Sequence, residues 1–266
     1  MNYLLTYIIF LFTLSCDTFV ERSSPLRGDY YIQDGWIAFE SSEFDKSIDY
    51  FKTSMEMEKD TSYIIHFLAN IGIGWANLYK TKYSNSIENR KLIDSSGYYF
   101  DLAYTMLDTV DYIMLEENQQ GLNENLDLLP NYLVGKIEMY SGLSIQRNYE
   151  AKQISVNILN WESENSILSD TIKSKYEQSI SFSRKIDKDF IFQYDKNVTF
   201  KELLILRIQN LIILDQIEDA IIDYKQLIQL ETDLLIDSDC KDGISSQNLV
   251  ECLCIISYNG SCPIDG

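Results

Sequence analysis

The chain contains one histidine, His66. A single imidazole rules out two-histidine metal centres and most general acid–base designs, and leaves at most one base for a nucleophile. His66 lies in the apolar stretch SYIIHFLANIGIGW, where it reads as a half-buried core residue of a helix. Neither a glycine-rich phosphate loop nor a G-x-S-x-G turn occurs. Asp237, Asp239 and Asp242 begin like a calcium loop, but Lys241 stands at its fifth position and Asn248 at its twelfth, where oxygen-rich acidic ligands are needed. Glu116 and Glu117 are adjacent, and adjacent helical residues do not face each other as paired catalytic carboxylates must. The expectation is a protein with no catalytic residue, no metal site and no cofactor.

The other reactive side chains are the five cysteines, one near the start and four in the last 27 residues. Residues 3–15 are apolar or hydroxyl-bearing and uncharged, a run of 13, which is too short to span a bilayer but suits the core of a signal peptide. The run ends in Leu14-Ser15-Cys16, which resembles the lipobox of bacterial lipoproteins, although Thr13 replaces the usual leucine and no Lys or Arg precedes the run. The resemblance implies removal of residues 1–15, lipidation of Cys16, and a membrane-anchored protein of the bacterial cell envelope, on the outer membrane by preference. Residues 16–28 are polar and interrupted by Pro25, as a tether leaving a membrane would be.

In an exported protein Cys240, Cys252, Cys254 and Cys262 can oxidise. Cys252 and Cys254 are too close in sequence to bond each other. Two full pairings survive: Cys240 with Cys252 plus Cys254 with Cys262, or Cys240 with Cys254 plus Cys252 with Cys262. A zinc site would lack the usual C-x-x-C pairs, and free buried thiols in LVECLCIISY are the third reading. Leu249, Leu253 and Ile256 have the spacing of a helix face able to cap whatever precedes them.

The rest of the composition describes the elements that must position any site. Of 266 residues 45% are apolar and 13% aromatic, enough for a sizeable core. Only Pro25, Pro130 and Pro263 break the chain, so long stretches carry no obligate helix breaker and the expected class is all-α. With 22 basic against 41 acidic residues the formal charge is -19, which repels phosphate backbones and argues against a nucleic-acid partner.

Compared with itself at an offset of 39, the chain lays GWIAFESSEFDKSI (from Gly35) over GWANLYKTKYSNSI (from Gly74). Gly35 and Gly74 suit close helix crossings. The alternation of small and aromatic residues at Gly35, Phe44, Ser47, Phe51 and Ser54 resembles the tetratricopeptide family, with Lys59 where that family usually has proline. In the second unit the pattern fails at Asn89 and Arg90 and resumes at Phe100, Ala103, Leu107 and Val110, which points to a surface insertion over residues 84–97. A third unit is expected over residues 130–159, with Tyr132, Leu133, Tyr140 and Leu143 on one helix and Tyr149, Ala151, Ile154 and Ile158 on the next. In the fourth, Thr199 and Glu202 form a capping box ahead of an apolar run, followed by Ile217, Ala220, Tyr224 and Leu227. The repeat domain is thus expected over residues 29–236 and a cysteine-containing cap or tail over 237–266.

The resemblance implies an α-solenoid whose concave face, built from the first helix of each pair, binds an extended peptide or another protein of the cell envelope. On the family's register Ile32, Trp36, Phe39, Ile71, Trp75 and Leu78 lie on or beside that face; aromatics at helical spacing are also ordinary core residues. The expected role is a lipid-anchored scaffold or adaptor rather than an enzyme. Two other readings are a glycan-capturing lipoprotein of the starch-utilisation type, and an enzyme whose site would show itself as clustered acids in an apolar pocket.

Overall fold

The computed structural model describes residues 28–57, 63–84, 86–117, 119–120, 128–159, 170–230 and 238–257. The signal-peptide reading of residues 1–15, Cys16, nearly all of the tether, and Cys262 lie outside the described residues. Among the described residues the chain is helical: α1 Gly28–Glu40, α2 Phe44–Met57, α3 Tyr63–Lys80, α4 Ser86–Asp111, α5 Leu129–Leu159, α6 Asp170–Ser183, α7 Phe200–Ile213, α8 Ile217–Leu230, α9 Ser238–Lys241 and α10 Leu249–Ser257. No strand occurs among them, only an isolated antiparallel bridge between Ile191 and Thr199. None of these helices is long and apolar enough to cross a membrane.

Each helix from α1 to α8 packs on the next, and alternate ones also meet: α1 touches α3, α3 touches α5, and α5 touches α7. A recurring clamp sets the close crossings. The fully buried ring of Phe51 on α2 lies against Gly35 of α1 and Gly72 of α3; a Cβ on Gly35 would stand 2.6 Å from it, and one on Gly72 closer still. The ring of Phe100 on α4 repeats the arrangement between Gly74 of α3, where a Cβ would stand 2.8 Å away, and Gly142 of α5. No side chain fits there, so the bare glycines admit an aromatic ring between two helices. Phe44, Ser47 and Ser54 are buried with Phe51.

Two expectations are corrected. Residues 84–97 are not an inserted loop: α4 already begins at Ser86 and runs for 26 residues, burying Leu92, Ile93, Ser96 and Gly97 ahead of Phe100. The Ser96 hydroxyl donates to the Gly74 carbonyl at 2.8 Å, which ties this extension to α3. Residues 130–159 are not a helix pair, because nothing between Leu143 and Tyr149 stops a helix; α5 spans 31 residues and its partner is α6. Mutual bonds between Ser144 and Ser179 (2.7 and 3.0 Å to each other's carbonyl) hold these two together, and Asn210 of α7 joins them through Ser179 and Asn148. At the start of α7, Thr199 is the N-cap, its side chain accepting from the Glu202 backbone N–H.

The tail packs on the fourth pair. Leu249, Leu253 and Ile256 are buried in one apolar cluster with Leu203, Leu204, Ile208 and Leu227. Cys240 and Cys252 are joined by a disulfide, and Cys254 is disulfide-bonded as well.

Candidate functional site

Residues 190–199, between α6 and α7, turn back onto the first two helix pairs. The segment closes as a tight turn: Phe192 N–H donates to Val198 O at 2.8 Å, Val198 N–H to Asp195 O at 2.9 Å, and Asn197 donates both its backbone N–H and its amide to Asp195 Oδ1, each at 2.9 Å. An aspartate answering the backbone two residues on is the local reason for the turn. The other carboxylate oxygen of Asp195 accepts from Tyr79 Oη at 2.6 Å and lies 3.7 Å from Lys82 Nζ. Burial alone would raise the Asp195 pKa, but the bonds from Tyr79 and Asn197 and the charge of Lys82 outweigh it and hold the carboxyl below its ordinary range. Burial, and then the bond to Asp195, push the Tyr79 phenol upward.

Pinned in this way, the turn inserts two aromatic rings among the helices. Phe192 is fully buried and stacks on Trp75 at 4.3 Å, while Tyr194 stacks nearly parallel on Trp36 at 4.0 Å. Phe39 meets both rings edge-on. The six residues expected on or beside a concave face, Ile32, Trp36, Phe39, Ile71, Trp75 and Leu78, are all buried. The chain's own connector packs its rings against Trp36, Phe39 and Trp75. Ile32, Trp36 and Ile71 still border a cleft that remains beside the connector; Phe39, Trp75 and Leu78 do not.

That cleft has a volume of about 380 Å³ and lies between α1, α3, α5 and the connector. Helix α1 contributes Ile37 and Glu40 besides Ile32 and Trp36, and α3 contributes Leu68 with Ile71. From α5 come Asn131, Val134 and Glu138, spaced i, i+3, i+7 so that they share one face. Gln193 and Tyr194 complete the wall. Ile37 and Val134 are exposed, which gives the mouth an apolar lip.

Glu138 stands out chemically. Its side chain is only 4% exposed, and its Oε1 has no hydrogen-bond partner. With burial as the cause, its pKa is pushed up to about 8. The other two buried charged side chains among the described residues each have a counter-ion, although Arg147 Nε has no hydrogen-bond partner. Arg207 forks onto Asp223 at 2.7 and 2.8 Å, and Arg147 pairs with Asp101. The backbone of Glu138 is held: its carbonyl accepts the Trp75 indole N–H at 3.1 Å. Burial raises the Tyr194 phenol, and the nearby Glu138 adds to the shift.

Nothing in the sequence singled out Glu138, which sits in IEMYSGL without a motif. Its only signal is an acid on the helix face that also carries Gly135 and Gly142, the residues that meet Leu68 and Phe100. His66 is half-buried and does not border the cleft. No protein-family model, no curated protein and no solved structure matches this chain.

Proposed function

We propose that the chain is a lipid-anchored adaptor of the bacterial cell envelope that binds a peptide segment of a protein partner in the cleft between α1, α3 and α5. The helix pairs form a tetratricopeptide-like array in this reading, in which α1, α3, α5 and α7 are the first helices and their common side is the binding side. Two features support the array: contacts between alternate helices, and the glycine–aromatic clamp repeated at Phe51 and Phe100. The observation that carries the binding role is the cleft itself, an apolar-lipped concavity that the connector narrows and leaves open. Concave sites with an apolar lining and a few convergent polar groups are the usual form of a recognition pocket.

A photo-crosslinking amino acid at Ile37 tests the role, with the same group at Ile222 of α8, which is 65% exposed, as the control. Expressed in a bacterial host with its leader intact, the Ile37 variant is expected to crosslink an envelope protein that the Ile222 variant does not reach. Equal labelling from both positions, or none from Ile37, contradicts the proposal.

A further inference from the structure

Among the residues bordering the cleft the charged ones are Glu40 and Glu138, both acidic; neither Lys nor Arg lines it. An ionised carboxylate held out of water without a partner is costly, and buried charges are otherwise paired or neutralised. The two other buried charges described in this protein obey that rule through Asp223 and Asp101. Glu138 has no such counter-ion, and its unpartnered Oε1 belongs to a residue that borders a cleft open to a ligand.

We propose that the cleft binds the cationic side chain of a peptide, a lysine ammonium or an arginine guanidinium, with the Glu138 carboxylate as its counter-ion. This rests on the peptide-binding reading above and deepens it. The chemistry of the wall agrees at three points. Leu68, Ile71 and Val134 offer apolar surface to the methylene stem of such a side chain. The stacked pair of Trp36 and Tyr194 places aromatic rings beside the same space, where a desolvated cation is attracted to a ring face. A volume of about 380 Å³ holds one long side chain with accompanying water and excludes a folded element.

Proton exchange follows from the burial of Glu138. With a pKa near 8 the carboxyl of the empty cleft is mostly protonated at neutral pH. A bound cation favours the ionised form, so binding expels a proton and tightens as pH rises from 6 towards 8.5, a range in which lysine and arginine stay charged. The ionisable groups that share the cleft with Glu138 are Glu40 on α1 and Tyr194 in the connector; the bordering residues of α3 are apolar. Neither Glu40 nor Tyr194 supplies a positive charge.

Isothermal titration of the full chain decides the matter, with acetyl-Ala-Lys-Ala-amide, its Arg counterpart, and its norleucine counterpart as neutral isostere. The Lys and Arg peptides are expected to bind at least tenfold more tightly than the norleucine peptide and to release a proton in paired buffers of different ionisation enthalpy. Glu138→Gln is expected to lose at least tenfold for the charged peptides, with no proton release and little change for norleucine. Val134→Trp, which fills the mouth and leaves the carboxyl intact, is expected to abolish binding of all three. Equal binding of norleucine and lysine peptides, blocked by Val134→Trp, overturns the cation proposal and leaves the peptide-binding reading standing. Binding of lysine unaffected by Glu138→Gln also overturns the proposal. No binding of any peptide at millimolar concentration, while 1,5-diaminopentane binds, removes the peptide as the source. Absence of all binding removes both.

Discussion

The indole N–H of Trp75 donates to the backbone carbonyl of Glu138 at 3.1 Å, so α3 holds α5 at the residue whose carboxyl Oε1 lacks a hydrogen-bond partner. Trp75 is fully buried and stacks on Phe192 of the connector. One side chain therefore couples the connector, the second helix pair and the floor of the cleft. Trp75→Phe keeps a smaller aromatic ring and removes the donor. The expected cost is about 1–3 kcal/mol, because a buried hydrogen bond and part of the packing of the indole are lost while the Ser141 hydroxyl still donates to the same carbonyl at 2.8 Å, and chemical denaturation measures it. A stability within error of the wild type would mean the bond does not hold the helix.

Glu138 makes stability depend on pH in a definite direction. Its folded-state pKa lies above its ordinary value near 4.5, so the native state binds the proton more tightly than the unfolded chain does. The stability associated with that proton is fully present below about pH 4.5 and is lost as pH rises through about 8. Glu138→Gln removes the titration while leaving the other carboxylates in place. At about 1.4 kcal/mol per pKa unit, the variant should gain on the wild type by about 2–5 kcal/mol between pH 5 and pH 8.5. Denaturant titrations at both pH values read the gain directly, and a difference that does not change with pH refutes the assignment.

At the helix crossings, Gly74→Leu drives a side chain into the ring of Phe100, which Gly142 confines from the other side. Overpacking of this kind costs about 1–3 kcal/mol, read as a fall in thermal midpoint. Gly243, beside the Asp239 backbone in the tail, lies outside any such clamp. An unchanged midpoint for Gly74→Leu would remove the clamp as an organising feature.

The tail supplies a fourth prediction. The disulfide between Cys240 and Cys252 closes a short loop, and both residues are buried in the cluster formed with the fourth helix pair. Reducing it should destabilise that end of the molecule by about 2–3 kcal/mol through the freedom regained by the unfolded chain. Peptide mapping of the unreduced, alkylated protein is expected to recover Cys240 linked to Cys252, with Cys254 unalkylated. Alkylation of Cys240 or Cys252 in the folded, unreduced protein would contradict this linkage.

Anchoring is tested separately from binding. Cys16→Ala is expected to move the protein from the membrane to the soluble fraction when both are expressed with the native leader. Retention in membranes after a carbonate wash would mean that an anchor other than an acyl chain on Cys16 holds it.

How much of this was legible in the sequence depends on whether the determinants are local. Phe44, Ser47, Phe51 and Ser54 recur at helical spacing within one helix, and all are buried. Thr199 caps α7 through Glu202 three residues on, a relationship contained in four residues. The stretch 84–97 misled because its polar residues hide a narrow buried stripe at Leu92, Ile93, Ser96 and Gly97 that only the facing helices explain. Helix α6 escaped notice for a similar reason, since its buried face mixes Ser179 and Ser183 with Ile172, Tyr176 and Ile180. The cleft was out of reach altogether. It exists because Tyr79 and Asp195, 116 residues apart, pin the connector across Trp36 and Trp75, and no local pattern encodes that meeting.

The central claim, that a cationic peptide side chain enters the cleft beside Glu138, is tested most directly by the indole N–H resonances of Trp36 and Trp75 in ¹⁵N-labelled protein. Trp36 borders the cleft, and the Trp75 indole bonds the backbone of Glu138. Titration with acetyl-Ala-Lys-Ala-amide at pH 8 is predicted to shift both resonances in a saturable manner, and the same titration of Glu138→Gln is predicted to shift neither. Resonances that stay fixed in the wild type at millimolar peptide, or that move identically in both proteins, would contradict the account.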